Sequence, residues 1–522
     1  MDDARDALAK TRIDIFGRLV LILALLFCFI FAFPYLVHRL SAQLLYLESK
    51  NLVRNGYYGI ASAKLEEASR LAPRDVEILR TLGDTCYRIA GLKRLPADSL
   101  AWAEKAEDAF ARAAASNPLD AEAFYGASQC LALLRNLHSR LYPGNPDNPY
   151  DPLPALLKAT ALRPNGIEYH YALARYYFEE QDKENLLAVI EKIAYNYPPA
   201  FDYLVKEPFF APPLVDAFQK GLERAVQERR RDVSAILYLA RTLEKKEDIP
   251  EALSYASRML RIPGYRPSED DYFYAGLLCL KNREPEKASP HFIRSLEKSD
   301  RKDLRLEWIF YLYRDMGYEE PLYNLLEQAR KHFTTLPGID IYAARSLIDL
   351  KRLNLAERVL NEANDVKPTA EAYYWLARIA EMDRDWDAME LAIQKATLLD
   401  PYQSEYRHLF AKALRSEGKL VRAEEEASLA IRFGENTSPW MFDTRARIRK
   451  DRQDYPGAAV DWENAILLND KVAFFHAELA EVYLKMGKYR EAVDHYEKAV
   501  AREPGNDAYK ARLSSLENRK DS

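Results

Sequence analysis

Glycine and cysteine are scarce in this chain of 522 residues. With 18 glycines, it contains neither a G-x-x-x-x-G-K-[ST] phosphate-binding loop nor a glycine pattern typical of dinucleotide binding. The four cysteines, Cys28, Cys86, Cys130 and Cys279, lie far apart and form no C-x-x-C pair. Neither a zinc site nor a disulfide framework is therefore indicated. We predict that these cysteines are apolar packing residues.

Catalytic motifs are also missing. The sequence has no G-x-S-x-G and no H-E-x-x-H, and its 8 histidines are scattered without partners at metal-ligand spacing. We therefore predict no metal, no cofactor and no catalysis. An enzyme hidden in the insertions described below is the least favoured alternative, because those segments supply no general base, nucleophile or metal cluster.

Neither sign of charge is in clear excess. The chain has 75 basic and 80 acidic residues, a formal net charge of -5, which argues against extensive nucleic-acid binding. The hydrophobic fraction of 48% and the charged fraction of 30% are sufficient for a core along the whole chain. We predict no nucleic-acid partner, and we expect a folded protein.

One long hydrophobic run stands near the amino terminus. Residues 19–37, LVLILALLFCFIFAFPYLV, carry no charge, and at ~1.5 Å per residue they form a helix just long enough to cross a bilayer core. A cleaved signal peptide is disfavoured, because the run is longer than a usual signal and lacks a small residue at the first cleavage position. The basic residues before it predict a single-pass inner-membrane protein, with residues 1–18 in the cytoplasm and the remainder periplasmic.

The most informative pattern is an internal repeat of 33 to 36 residues. Its last copy, AFFHAELAEVYLKMGKYREAVDHYEKAVAREP, begins at Ala473, with alanines at positions 8, 20 and 27, Gly487 at position 15 and Pro504 at position 32. Small residues let two antiparallel helices approach closely, and a proline ends the second helix. This unit resembles the tetratricopeptide repeat, a helix-turn-helix of 34 residues. His476 is a departure at position 4, where the family prefers tryptophan.

The same frame extends through most of the chain. Its units begin at Ala42, Val76, Ala121, Ile167, Val233, Glu269, Asp303, Pro337, Ala370, Ser404, Pro439 and Ala473. The resemblance implies an all-α fold, a right-handed tetratricopeptide superhelix or α-solenoid of about twelve helix-turn-helix repeats, here preceded by one transmembrane helix. We predict an N-terminal array at 42–200, a degenerate repeat or joint at 201–232, a C-terminal array at 233–506, and a capping helix and tail at 507–522.

Two neighbouring units are longer than the others. Extra residues near 90–102 and 138–154 separate the first helix of the unit, helix A, from the second, helix B. The later insertion reads HSRLYPGNPDNPYDPLP. Both insertions fall on the same edge of the predicted superhelix, where insertions often bind a partner. A tolerated surface loop explains them as well, since lengthening an exposed loop costs little entropy.

Helix A offers a candidate binding surface, because its positions 2, 5 and 9 lie on one side. Position 9 is basic at Lys50, Arg175, Arg241, Arg345, Arg378, Lys412 and Arg447, and position 5 is aromatic or histidine at Tyr46, Tyr125, Tyr171, Phe273, Tyr374 and His408. Guanidinium groups bind carboxylates bidentately, and aromatic faces stack on sugars or apolar side chains. The stripe predicts a concave groove for an extended acidic ligand. Alternatively, the stripe pairs with acidic residues at position 2, Glu77, Glu122, Glu168, Asp270, Glu371 and Glu405.

These features together predict a membrane-anchored scaffold without catalytic activity. It would bind partner proteins, through acidic segments, in the basic and aromatic groove. The resemblance to anchored bacterial arrays implies an alternative: an accessory protein of cell-envelope polysaccharide assembly, export or secretion, whose groove contacts an anionic glycan.

Overall fold

The computed structural model describes residues 20, 22, 23, 26, 27, 29, 30, 33–143, 145, 147–333, 336, 338–434 and 438–520. The regular structure in these ranges is helical, which confirms the all-α prediction. The chain divides into two compact units, Met1–Tyr265 (unit 1) and Arg266–Ser522 (unit 2).

Unit 1 is built from antiparallel helix pairs, in which most helices pack against the next along the chain. Its helices are α1 (Phe33–Arg54), α2 (Tyr58–Leu71), α3 (Val76–Leu92), α4 (Pro96–Ser116), α5 (Ala121–Leu141), α6 (Leu153–Leu162), α7 (Ile167–Glu179), α8 (Lys183–Asn196), α9 (Phe201–Leu204), α10 (Pro212–Glu228), α11 (Val233–Lys245) and α12 (Ile249–Leu260).

Unit 2 follows the same plan. Its helices are α13 (Glu269–Lys281), α14 (Pro285–Lys298), α15 (Lys302–Asp315), α16 (Glu319–His332), α17 (Gly338–Asp349), α18 (Leu353–Val366), α19 (Ala370–Asp383), α20 (Trp386–Leu399), α21 (Ser404–Ser416), α22 (Leu420–Phe433), α23 (Pro439–Asp451), α24 (Tyr455–Leu468), α25 (Ala473–Lys485), α26 (Tyr489–Arg502) and α27 (Asp507–Lys520).

Local capping explains why many helices begin where the repeat frame places them. Asp75 accepts hydrogen bonds from the first backbone amides of α3, Asp232 does the same for α11, and Asp385 for α20. A carboxylate at this position satisfies amides that have no partner within the helix and favours the positive end of the helix dipole. The first helix of the unit starts at the predicted residue for Val76, Ala121, Ile167, Val233, Glu269, Ala370, Ser404, Pro439 and Ala473.

Small residues hold the pairs together. In the last repeat Ala480, Ala492 and Ala499 are fully buried. In α3 a Cβ built on Gly83 would lie 2.7 Å from the ring of Phe110, so the missing side chain makes room for that ring. Cys86, Cys130 and Cys279 are buried free thiols, as predicted, and Cys28 lies outside the described residues.

The two insertions fold differently from one another. The residues near 90–102 lengthen the helices, because α3 continues to Leu92 and α4 begins at Pro96. The residues 138–154 extend α5 to Leu141 and then cross to α6, with Gly144 and Pro146 outside the described residues. Two side-chain hydrogen bonds hold this connection against the neighbouring helices. The Asn148 side-chain amide donates to the carbonyl oxygen of Arg135 at 3.0 Å, and the Tyr150 hydroxyl donates to Glu104 at 3.1 Å.

Residues 201–232 contain the single-turn helix α9 and then α10. The rings of Phe201, Phe210 and Phe218 pack on one another there, with centroids 5.7 to 6.3 Å apart. Helix α10 packs against α8, whereas α9 is too short to form the usual partner.

The predicted transmembrane helix is wrong. Among the described residues, none of the helices combines the length and the apolar character needed to cross a bilayer. The inner-membrane localisation and the cytoplasmic and periplasmic assignments were built on that span, so they are wrong as well. Of the predicted span, residues 19, 21, 24, 25, 28, 31 and 32 lie outside the described ranges, as does the whole predicted tail, 1–18.

The course of α1 gives the physical reason for this correction. It begins at Phe33, inside the apolar run, and continues to Arg54 through several charged residues. Its second half is helix A of the first repeat, in which Ala42, Tyr46 and Ser49 are buried. The same helix therefore contains the end of the apolar run and, further along, the face that packs against α2.

In ten of the twelve predicted units the turn between helix A and helix B has a left-handed backbone at position 15 of the repeat. Glycine occupies it at Gly56, Gly317, Gly418 and Gly487, with φ between 73° and 81°. Other residues adopt the same conformation at Gln181, Glu247, Arg283, Lys351, Arg384 and Gln453, with φ between 58° and 66°. A side chain in this region costs ~1–2 kcal/mol, which glycine avoids. The packing of the two helices therefore enforces the same turn conformation at the six residues that are not glycine, despite this cost.

We predict that Gln453→Gly stabilises the protein, by about 0.5–1 kcal/mol after the greater chain entropy of glycine is deducted. The matched control is Gln394→Gly, which places the same substitution at an exposed position inside α20 and should destabilise by about 1 kcal/mol. Urea unfolding followed by circular dichroism measures both. Equal signs for the two substitutions would contradict the prediction.

Candidate functional site

In unit 1 the predicted position-9 cations have carboxylate neighbours. Lys50 lies 3.9 Å from Glu77, and Arg175 lies 3.5 Å from Glu179, one turn along its own helix. Arg241 is 3.0 Å from Asp202, and its guanidinium lies 5.0 Å from the ring centroid of Tyr238.

In unit 2 most of the predicted cations are paired too. Arg378 is 2.8 Å from Glu381, and Lys412 contacts that same carboxylate from the next repeat. Arg447 is 2.9 Å from Asp443. Arg345 differs, because among the residues that the structure describes no carboxylate oxygen lies within 4.0 Å of its guanidinium.

The predicted aromatic residues are partly buried. Tyr125 packs against Tyr169 with centroids 4.8 Å apart, and Tyr374 packs against Tyr406 at 5.1 Å. The Tyr171 hydroxyl donates to Glu207. Burial, together with this carboxylate, raises the pKa of Tyr171 to about 12, so it remains a neutral phenol near pH 7.

Acidic residues at position 2 do pair with cations of neighbouring helices. Glu122 contacts Arg80 and lies 3.1 Å from Arg163, and Asp270 lies 2.8 Å from Arg305. Most of these groups are at least partly exposed, and such pairs contribute ~0–1 kcal/mol each. Paired cations of this kind are poor sites for a further anion. We therefore expect an anion to bind at the cations that have no acidic partner.

One open pocket in unit 1, here called the basic pocket, brings together residues from the predicted groove and both insertions. It has a volume of about 680 Å³. Tyr125, Tyr171 and Arg175 come from the predicted groove. The insertions and the helices that they lengthen add other residues of the lining, namely Lys93, Arg94, Arg135, Arg140 and Pro152. The sequence assigned the groove and the insertions to separate surfaces, whereas the structure places these residues around one space.

The charge of the basic pocket is strongly positive. Five cations line it, Lys93, Arg94, Arg135, Arg140 and Arg175, against one acid, Glu179. Arg135 is 2.7 Å from Glu180 and lies over the ring of Tyr176. Within the described part of the chain, Lys93, Arg94 and Arg140 have no carboxylate within 4.0 Å, and all three are exposed. An anion entering this pocket would therefore find cations that are not already neutralised.

In unit 2 the sequence reasoning missed an aromatic surface. Position 6 of four successive repeats is aromatic, at Tyr274, Trp308, Tyr342 and Trp375. Two of these rings, those of Tyr342 and Trp375, lie 5.2 and 5.1 Å from the guanidinium of Arg345. The signal was present in the repeat frame, but positions 2, 5 and 9 alone were compared. A full comparison of helix A positions would have found it.

No group of three or more His, Cys, Asp or Glu side chains is arranged to hold a metal ion within the described ranges. The chemistry that this surface offers is recognition of anions and apolar groups by Arg, Lys, Tyr and Trp side chains.

The last repeat is similar to a known family. The family model for the tetratricopeptide repeat matches residues 473–506, which contain the pair α25 and α26. Residues 473–506 therefore form a tetratricopeptide repeat. The remaining helix pairs follow the same frame, and nine of the other predicted units have the same left-handed turn at position 15. A bacterial origin stays a prediction.

Comparison with curated protein sequences gives no match. Several solved structures are similar to this chain. Cut9 in the APC/C hetero-tetramer Cut9-Hcn1 is 15% identical with a TM-score of 0.37, over 91% of this chain and 96% of that chain. Yeast Tom70 is 14% identical with a TM-score of 0.32, over 92% and 95%. A thermophilic TPR protein in Thermus thermophilus is 21% identical with a TM-score of 0.28, over 35% and 98%.

His408, at position 5 of its repeat, generates a prediction about pH. Burial, reinforced by the nearby Lys412, lowers the pKa of His408 to about 4, and its ring is hydrogen-bonded to Thr444 at 2.7 Å. The unfolded chain, with a histidine pKa near ~6.5, takes up the proton first. The neutral His408 ring therefore makes its full contribution to the stability of the folded state above about pH 6.5. This contribution is lost as the pH falls toward about 4.

We expect His408→Gln to lose less stability than the parent protein between pH 7 and pH 4.5, by about 2 kcal/mol, because the substitution removes this proton uptake. Thermal unfolding at a series of pH values measures the difference. Between pH 7 and pH 9 the two proteins should change in parallel, which serves as the control. Identical acid sensitivity would refute the assignment.

Proposed function

We propose that this tetratricopeptide-repeat protein is a scaffold without catalytic activity, which binds an acidic segment of a partner protein in the basic pocket. The observation that carries this proposal is that three of the five cations around a space of about 680 Å³, Lys93, Arg94 and Arg140, have no carboxylate partner among the described residues. That volume is in the usual range for ligand pockets, ~300–1,000 Å³.

The kind of cation in the pocket supports an acidic peptide. Four of the five are arginines, whose planar guanidinium groups match the two oxygens of a carboxylate. The tyrosine rings beside them present apolar faces to the carbon atoms of the side chains of a bound peptide. An anionic polysaccharide is the second candidate, because tyrosine faces also stack on sugar rings. We favour the peptide, since tetratricopeptide-repeat proteins bind protein partners.

Reversal of three pocket charges should abolish this binding. The variant carries Lys93→Glu, Arg94→Glu and Arg140→Glu, all at exposed positions without a carboxylate partner in the described structure, so the core is left intact. We expect a labelled peptide of alternating glutamate and alanine to bind at least about tenfold more weakly, ~1.4 kcal/mol or more, by fluorescence anisotropy. Binding to the parent protein should weaken as salt is added.

The matched control makes the same change of charge elsewhere. Arg231→Glu, Lys245→Glu and Lys367→Glu are also exposed and lie outside the pocket lining. This control should bind the acidic peptide as the parent protein does, and the glutamine version of the peptide should not bind to any of the proteins. Equal loss in the two triple variants would mean that only net charge matters. Retention of alginate but not of the peptide by the parent protein, abolished by the pocket variant, would assign the pocket to a glycan instead.

A further inference from the structure

Arg345, on α17 in unit 2, is a cation held in place without a counter-ion. Its one hydrogen bond among the described residues runs from the guanidinium to the hydroxyl oxygen of Tyr311, at 3.4 Å. A guanidinium has five N–H donors, so most of its donor capacity is not used by the protein. A partly buried charge without an opposite charge is costly, and an incoming anion would offset that cost.

Four aromatic rings fix the position of this guanidinium. Its central carbon lies 4.5 Å from the ring centroid of Phe310, 5.1 Å from Trp375, 5.2 Å from Tyr342 and 5.6 Å from Tyr311. These rings belong to three successive first helices, α15, α17 and α19. Cation–π contacts hold the group over ring faces, and they leave its N–H edge for hydrogen bonds in the plane. The arginine is therefore oriented before any ligand arrives.

The next repeat provides a natural comparison. Arg378 occupies the same position 9, but Glu381 lies 2.8 Å from it and also contacts Lys412. The equivalent arginine one repeat on is thus neutralised by the protein itself. The lack of a carboxylate at Arg345 is a local feature and not a property of position 9 in general.

Exposed aromatic surface lies on the neighbouring helix α15. Trp308 is 55% exposed and Tyr311 is 41% exposed. Packed helices lie roughly 8–10 Å apart, which equals about three residues of a polyproline II chain, with three residues per turn and a rise of ~3.1 Å per residue. A peptide in this conformation with its carboxylate on Arg345 would therefore place the side chain three positions away, which lies on the same side of the peptide, over a neighbouring first helix.

We propose that Arg345 and the rings around it form a second peptide-binding site, which takes an acidic side chain flanked by aromatic residues three positions away. The site lies within unit 2 and involves none of the residues of the basic pocket, so it goes beyond the function proposed above. Arg345 supplies the bidentate contact to the carboxylate. Trp308 supplies an apolar face, and its exposure is lost when the peptide binds.

The test uses the full chain and a fluorescein-labelled peptide, Phe-Ser-Ser-Glu-Ser-Ser-Phe, with both ends blocked. We expect Arg345→Gln to weaken binding by at least about tenfold, because the carboxylate then has no cationic partner. Arg378→Gln, the matched control, should change binding by less than about twofold. Arg345→Lys keeps the charge but loses the planar fork, and it should fall between these two values. Thermal unfolding by circular dichroism checks that each variant is folded.

A second variant keeps the proposal testable if Arg345→Gln fails to fold. Trp308→Ala removes an exposed ring and should weaken binding about threefold or more. Replacing the glutamate of the peptide with glutamine, or both phenylalanines with serine, should also weaken it. A peptide with glutamine and a free carboxyl terminus shows whether a terminal carboxylate substitutes for the side chain, and tighter binding of that peptide would overturn the proposal.

Equal losses in Arg345→Gln and Arg378→Gln would overturn the proposal too, as would unchanged binding in the folded Arg345→Gln variant. The triple variant of the basic pocket should bind this peptide as the parent protein does, while it loses the glutamate-alanine peptide. The two sites can thus fail separately, and each result identifies which one is wrong.

Discussion

The close approach of paired helices at small residues is the constraint on which the structure depends. In the last repeat three alanines are fully buried where the helices meet, and in α3 a Cβ on Gly83 would overlap the ring of Phe110. A larger side chain at such a point either displaces its neighbour or separates the helices, at a cost of typically ~1–3 kcal/mol. A single helix pair cannot bury both of its faces, so each pair needs the next one, and the same contact recurs along each unit.

This spacing of the helices also decides which surface charges meet. When first helices of successive repeats lie side by side, a cation on one reaches a carboxylate on the next, as in Lys412 and Glu381. Together with pairs inside one helix, such as Arg378 and Glu381, this pairing neutralises most of the basic stripe at position 9. Arg345 is the exception within the stripe, and Lys93, Arg94 and Arg140 of the basic pocket also have no carboxylate partner among the described residues, so both places are proposed as binding sites. The basic pocket is lined by cations from the lengthened helices. At Arg345, aromatic rings take the place of the missing carboxylate.

The left-handed turn at position 15 shows how strongly packing overrides local preference. Gly487 suits this conformation, yet Gln453 adopts it one repeat earlier with φ of 66°. The contacts of two packed helices contribute more free energy than the ~1–2 kcal/mol that such a residue costs. Packing of helices also explains why the membrane prediction is wrong. Hydropathy identified an apolar run, but α1 begins within that run at Phe33 and continues as a packed first helix of the array.

The sequence by itself determined most of the helices, their register and the resemblance of the last unit to the tetratricopeptide repeat. Residues three and four apart share a helix face, aspartates cap helix starts, and small residues recur with the period of the repeat, so these properties are local and can be seen in a linear chain. The tertiary structure decided which charged groups are neutralised and which are not. Arg345 and Arg378 look alike in the sequence, because each has an acid one turn later on its own helix, Asp349 and Glu381. Only the structure shows that Glu381 lies 2.8 Å from Arg378, whereas Asp349 lies 2.8 Å from Arg314 of another first helix and Arg345 faces rings. The physical reason is that a charge is neutralised by its neighbours in space, and some of these belong to other repeats.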